Sequence, residues 1–487
     1  MSAFIALINL LWSVRIVGNL LSYLHLWWVK EYRVDRMLIH LRTEQGKRWL
    51  LPGWRPPPLN PKTIILGVTA GGIILITYLW LPLALFLKLL LIDLFTFPLT
   101  FFLVFLVSLP TKIYHAWIIR QAVKKLRRHQ PMLVIGITGS YGKTSTKDYL
   151  AAILATQFKV LKTSASKNSA IGIAEVVLRN LRPEHEVLVV EMGAYKRGEI
   201  KQMAGMVRPQ IGIITAINAQ HQDLFGSLEN TMQAKSELTA GLIGRRIAIF
   251  NADNPLTLEM AEKAKREGLK VWLYGRKSKE QSEAEQFFRA TEIQADLRQV
   301  SFMCEHGEEK CRVETKVLGE HQVGNILAAL AAAVACGLTL KEAARAAREI
   351  TAPAGVMQPV RGIKGASFLD DTFNNNPDAA LAALKFIAKY PGKKILVFQP
   401  MIELGKYAQT CHRQVGELAA KICDSVILTN SNWSRDFKFG LSRVAKKVPV
   451  SVSRPDQAAA FIRSAVGKGD VVLFKGKEAK NVLNRLV

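Results

Sequence analysis

Gly139, Gly142, Lys143 and Thr144 stand within one short stretch, GITGSYGKTSTKDYL (136–150). Glycines at such spacing let backbone N–H groups approach phosphate oxygens, and the start of a following helix adds positive potential. A lysine at that start can reach the outer phosphates, and the hydroxyl beside it can ligate Mg²⁺. The chemistry is the gripping and polarising of a nucleoside triphosphate. The spacing departs from the strict G-x-x-x-x-G-K-[ST] form, because residue 137 is Ile.

The elements that must position these residues are legible on either side. MLVIGITG (132–139) is a short apolar run of strand type, and KTSTKDYLAAILAT carries a helical pattern with Ala and Leu on one face. After APAG (352–355) short apolar runs and helical stretches start again. ASFLDD (366–371), KKILVFQ (393–399), SVILTN (425–430) and DVVLFKG (470–476) read as strands. Strand–helix alternation argues an open α/β sheet of parallel type, with ligands at the carboxyl ends of its strands.

Residues 1–130 are of another kind. The 487-residue chain has a formal net charge of +27 and nine tryptophans. Seven of those tryptophans fall in the first quarter, as anchoring at a membrane interface predicts. Residues 63–87 contain no charge, and 89–109 form a second apolar run with Asp93 near one end. Each is long enough to cross the hydrocarbon. Residues 3–28 form a third run, interrupted by Arg15, which either spans or lies in the interface. The basic stretches 29–62 and 112–128 both belong on the inner side of a bilayer, with two crossings between them. The basic excess is therefore read as an address for a lipid bilayer, and no nucleic acid partner is expected. Five cysteines without a paired framework fit a reducing compartment, and Cys304, His306 and Cys311 have the wrong spacing for a zinc clip; a turn between strands accounts for them.

TGSYGKTST resembles the ATP loop of the Mur ligases, and further blocks follow in that family's order: KNSAIGIAEVVL (167–178), VLVVEMGAYKRGEI (187–200) and PQIGIITAINAQHQDLFGSLENTMQAKSEL (209–238). The resemblance implies nucleotide contacts from Gly139, Ser140, Gly142, Lys143, Thr144 and Ser145. It implies a substrate contact from Asn168. It also implies a magnesium site built from Thr144, Glu191, His221 and a carbamylated Lys235, with Lys143, His221 and Lys235 as the catalytic set. In VLGEHQVGNILAALAAAVACGL (317–338) it places His321 and Asn325 around the adenine. In LDDTFNNNPDAALAAL (369–384) Asp371 would meet the ribose, while Asn374 and Asn376 would shape the cleft between domains; Lys475 in GDVVLFKGKEA becomes an anion contact. Within the family the chain is most similar to members that add D-alanyl-D-alanine to a tripeptide precursor.

The expected architecture is α/β throughout its larger part: transmembrane helices (1–130), a central P-loop α/β ATP-binding domain (131–351), and a C-terminal Rossmann-like α/β domain (352–487). The resemblance covers about residues 131–487. It departs from the family at Val356, where an Arg is usual, and Arg361 is the nearby candidate to replace it. It departs again at the front, where membrane-type segments stand in place of a uridine-binding domain. The implied reaction is ATP-dependent amide formation on a peptidoglycan precursor peptide through an acyl phosphate. The expected setting is the cytoplasmic membrane, with the catalytic domains in the cytosol. A lipid-linked precursor and a membrane scaffold that binds ATP without ligating remain as alternatives. An ATP-driven transporter is disfavoured by the small number of apolar segments.

Overall fold

The computed structural model describes residues 2–41, 54–129, 131–164, 167–218, 225, 227–276, 286–402 and 404–487. The chain divides into two compact units, Met1–Arg120 and Gln121–Val487.

In the first unit, helix α1 (Ser2–Val29) leads through the short α2 (Val34–Leu41) to α3 (Pro61–Trp80) and α4 (Leu85–Arg128), whose last eight residues belong to the second unit. Asn60 caps α3 by accepting from the Thr63 amide at 3.0 Å, and Pro61 occupies the first helical position, where a missing N–H costs nothing. The helix ends before Pro82. α1, α3 and α4 are each long and apolar enough to cross a membrane. α3 exposes Ile65, Val68, Ile76, Leu79 and Trp80 and buries Leu66 and Ala70 on another face, so apolar side chains run around the helix. α4 does not stop near residue 109. It continues to Arg128 through Pro98 and Pro110. A proline removes one backbone bond but does not end a helix whose following residues favour helix, and TKIYHAWIIRQAVKKLRR does.

α1 runs parallel to α4. Trp12 meets Phe86, Asn19 bonds Asp93, Tyr23 meets Phe97 and Trp27 meets Phe101, always at a separation of 74 residues. Asp93 accepts from Asn19 Nδ2 at 2.8 Å and Trp12 Nε1 at 3.2 Å, and pairs with Arg15 at 3.1 Å. The polar residues that interrupt these apolar helices thus satisfy one another.

In the second unit the first sheet comprises β1 (Leu133–Thr138), β2 (Val160–Lys162), β3 (Val187–Glu191), β4 (Ile211–Ile214), β5 (Ile247–Asn251), β6 (Lys270–Gly275), β7 (Gln286–Ala295), β8 (Val300–His306) and β9 (Glu309–Thr315). Its order is β2-β3-β1-β4-β5-β6-β7-β8-β9. Strands β1 to β7 are parallel and β8 and β9 antiparallel. The β8–β9 hairpin turns at Gly307 (φ +60°), which sets Cys304 opposite Cys311, both free thiols, as a turn and not a metal clip. α5 (Lys143–Leu154), which follows β1, and α6 (Gln322–Cys336), which follows β9, pack together. Ala328, Ala329, Ala331, Ala332 and Ala333 of α6 are fully buried, small side chains that permit close approach.

The second sheet is ordered β10-β11-β15-β12-β13-β14, from β10 (Gln358–Arg361), β11 (Ser367–Asp371), β12 (Lys394–Phe398), β13 (Ser425–Leu428), β14 (Val450–Val452) and β15 (Val471–Lys475). Its four strands expected from sequence are present and mutually parallel, and β10 adds an antiparallel edge. The α/β architecture with apolar N-terminal helices is the one expected.

Candidate active site

β1 lies between β3 and β4, so their carboxyl ends form one crevice at the point where strand order reverses. The chain leaves β1 through Gly139 (φ +149°) and Gly142 (φ +81°). Both positions demand glycine. A Cβ on Gly139 would lie 2.1 Å from Thr215 Oγ1, and one on Gly142 would lie 2.4 Å from Asn325 Oδ1. The loop is tied to the strand beside it: Ser140 N donates to Ala216 O at 2.7 Å, and Asn218 N to Ser140 Oγ at 3.1 Å. α5 starts at Lys143, and Thr144, Ser145 and Thr146 are buried in its first turn.

Lys143 folds back over this loop, donating to Gly139 O at 2.8 Å and Ser140 O at 3.1 Å. Burial lowers its pKa, and Glu191 opposes that shift. Thr144 Oγ1 donates to Glu191 Oε2 at 2.9 Å, while Asn168 Nδ2 donates to Oε1 at 3.1 Å. Glu191 is the last residue of β3, which is why it points into the crevice. Asn168, expected against substrate, is thereby placed on Glu191.

Lys235 projects from helix α7 (Leu228–Ala240) and is almost wholly buried, its ammonium 5.7 Å from the Phe225 ring centre. Burial, reinforced by the like charge of Lys143, lowers its pKa to about 7, against the pull of Glu199, Glu237 and Glu191. His221 lies outside the described residues. Among the described residues no three His, Cys, Asp or Glu side chains gather as a metal cluster, so an ion here would rest on a mixed set.

A second group comes from the later sheet. Asp371 ends β11 and Lys475 ends β15, in register, and Lys475 Nζ meets Asp371 Oδ2 at 2.7 Å in a buried pair. Lys475 also donates to Asn374 O at 3.0 Å. Asn374 itself is exposed, and Asn376 caps the helix Pro377–Ile387 by accepting from Ala379 N at 3.0 Å. His321, at the start of α6, feels the charges of Asp371 and Lys475, and burial lowers its pKa to about 4, which leaves it neutral near pH 7. Asn325 lies one turn on. Its Nδ2 donates to Gln322 Oε1 at 2.9 Å, which also accepts from Tyr149 OH of α5 at 3.1 Å. Asn218 Nδ2 donates to Asp378 Oδ2 at 2.8 Å, joining the edge of the first sheet to the second.

Arg361, the candidate to replace an arginine at Val356, is exposed on the antiparallel edge strand β10. It pairs with Ser367 at the start of β11, whereas Asp371 ends that strand. Four residues at about 3.3 Å each separate them by roughly 13 Å. Sequence reasoning also passed over Lys147, a fully buried lysine whose Nζ lies 3.6 Å from Glu191 Oε2. Its spacing of four from Lys143 puts both on one face of α5, and that was the available signal.

The two sheets correspond to domains of known proteins. The Mur ligase middle domain matches residues 137–333, and the Mur ligase glutamate ligase domain matches 357–478. The UDP-N-acetylmuramoyl-tripeptide–D-alanyl-D-alanine ligase of Escherichia coli is 34% identical over 60% of this chain and 63% of its own length. The ligase of the same name from Mycobacterium tuberculosis is 31% identical over 72% of this chain and 71% of its own. The chain thus spans somewhat under two thirds of the first relative's length. Crystal structures of MurF from Acinetobacter baumannii (TM-score 0.68, 26% identity, 76% of this chain and 80% of that one) and of MurF ligase from Thermotoga maritima in complex with ADP (TM-score 0.67, 24% identity, 76% and 83%) share the fold.

Proposed function

Because the chain belongs to the Mur ligase family, we propose that it is an ADP-forming ligase joining D-alanyl-D-alanine to the peptide carboxylate of a peptidoglycan precursor. The observation that carries this reading is the meeting of Lys143, Thr144, Glu191 and Lys235 at one sheet edge. Asp371, Lys475 and His321 form a second polar group within the same compact unit. A triphosphate laid on the loop has its outer phosphates at Lys143, whose ammonium exchanges two loop carbonyls for phosphate oxygens. A substrate carboxylate oxygen attacks the γ-phosphorus and ADP leaves. The amine of the incoming dipeptide then attacks the acyl carbon and expels phosphate. Lys143 offsets negative charge as it gathers on the transferred group.

The residues fit a magnesium ion. Glu191 and Thr144 offer hard oxygen donors 2.9 Å apart beside the phosphate loop, the ligand class that ion prefers. When bound it supplies Lewis acidity toward the γ-phosphoryl oxygens. A carbamate on Lys235 would add an anionic oxygen where an ammonium offers none. The decisive assay incubates the detergent-solubilised protein with ATP, Mg²⁺, UDP-N-acetylmuramoyl-tripeptide and D-alanyl-D-alanine. A product whose mass equals both substrates joined with loss of water, formed with one ADP, is expected. ADP release that ignores both substrates would remove the reading.

The protein is further proposed to be a membrane protein with its catalytic unit in the cytosol. The family models begin at residue 137, so α1, α3 and all of α4 lie outside them. Exposed apolar side chains on these helices would be costly in water, at about 25 cal/mol per Å². Because α1 parallels α4, the two would cross in the same direction, with the N-terminus outside. Ser2→Cys should react with an impermeant maleimide in intact cells, and Lys124→Cys only after lysis. The five native cysteines all follow residue 300 and would be shielded in intact cells; they are replaced by Ser for the labelling after lysis. Ser2→Cys labelled only after lysis would defeat this topology. A membrane unit also favours a lipid-linked tripeptide as acceptor, which the same assay tests beside the soluble nucleotide form.

A further inference from the structure

Lys147 is an expensive residue without an assigned task. Its side chain is 1% exposed, and a lysine is almost never so buried unless paired. Its partners are Glu191 Oε2 and Asp148 Oδ1, each at 3.6 Å. Asp148 is already held by Lys162 at 2.6 Å. The charge of Lys147 therefore bears mainly on Glu191, whose hydrogen-bond donors, Thr144 and Asn168, are neutral and which also feels the charges of Lys143 and Lys235. Such an arrangement does more than compensate a buried carboxylate. A divalent ion at Glu191 would stand within a few ångströms of a fixed positive charge, and the repulsion opposes its entry. The nucleotide's phosphates would bring the negative charge that overcomes it.

We infer that Lys147 is a positioning residue that aims Glu191 at the phosphate loop and discourages a divalent cation from settling there without nucleotide. This rests on reading Glu191 as a metal ligand. The test is Mn²⁺ binding by electron paramagnetic resonance, with and without ADP, on the full-length protein. Lys147→Met should bind Mn²⁺ without nucleotide about tenfold or more tightly than the unaltered protein. Its gain in Mn²⁺ affinity on adding ADP should shrink correspondingly. Lys147→Arg, which retains the charge, should behave as the unaltered protein, and it carries the comparison if Lys147→Met fails to fold: Arg giving tighter nucleotide-free binding overturns the proposal. Unchanged or weaker nucleotide-free binding in Lys147→Met also overturns it. Glu191→Gln separates the premise. If that variant keeps full Mn²⁺ affinity with ADP, the assignment of Glu191 fails, and the proposal falls with it for that reason and not through Lys147.

Discussion

Lys143→Ala is expected to lower substrate-dependent ADP release by about 10³-fold or more, with little change in thermal stability. Removing one charge-stabilising donor from a preorganised site costs about 10² to 10³ in rate, and Lys143 is a full cation at the phosphates, not a neutral donor. Two observations make the effect specific. The ammonium is held by Gly139 O and Ser140 O, so its stem and direction are set before any nucleotide arrives. Those carbonyls belong to the loop itself, so leaving them for phosphate costs no buried partner elsewhere. Lys143→Arg should recover only part of the rate, because a planar fork does not replace a compact ammonium at a loop this tight. Coupled measurement of ADP release, beside melting curves for each variant, checks both. Full activity in Lys143→Ala would take the phosphate loop out of the reaction.

Much of this site was legible because its signals are local. An apolar run, glycines that must turn and a helix start can be read within fifteen residues, and β1, Gly139, Gly142 and α5 follow that reading. The strands of the second sheet were legible for the same reason: buried parallel strands read as unbroken apolar runs. What was hidden depends on facing and pairing. Lys475 at the end of such a run reads alone as a surface lysine, and only the β11–β15 register shows it buried against Asp371. Lys147 looks like any helical lysine until β3 brings Glu191 beside it. Arg361 was close to Val356 in sequence, but an antiparallel edge strand carries it away from Asp371. The length of α4 was hidden because Pro110 looks like a stop, and the helix runs through it.

Activity is expected to depend on dissolved carbon dioxide through Lys235. A carbamate forms when a neutral amine adds to CO₂ and releases a proton, so the fold must supply a neutral amine in a site that then accommodates an anion. Burial and the neighbouring charge of Lys143 bring the Lys235 pKa to about 7. At pH 7 about half of such an amine is neutral, against roughly one in a few thousand for an ordinary lysine. Lys143 then stands ready as a counter-charge for the carbamate, turning from a repulsive neighbour into an attractive one. Protein depleted of CO₂ should lose most of its activity and regain it with bicarbonate. Lys235→Met should fall by about 10²-fold or more and show no response to bicarbonate. A ¹³C carbamate resonance after ¹³C-bicarbonate treatment should be present in the unaltered protein and missing in Lys235→Met. Acidification below about pH 6 should weaken that resonance, since the protonated amine cannot add CO₂. If Lys235→Met kept its rate, or if the depleted protein worked undiminished with no carbamate signal, the buried lysine would be an ordinary packing residue and Glu191 with Thr144 would have to suffice as protein ligands.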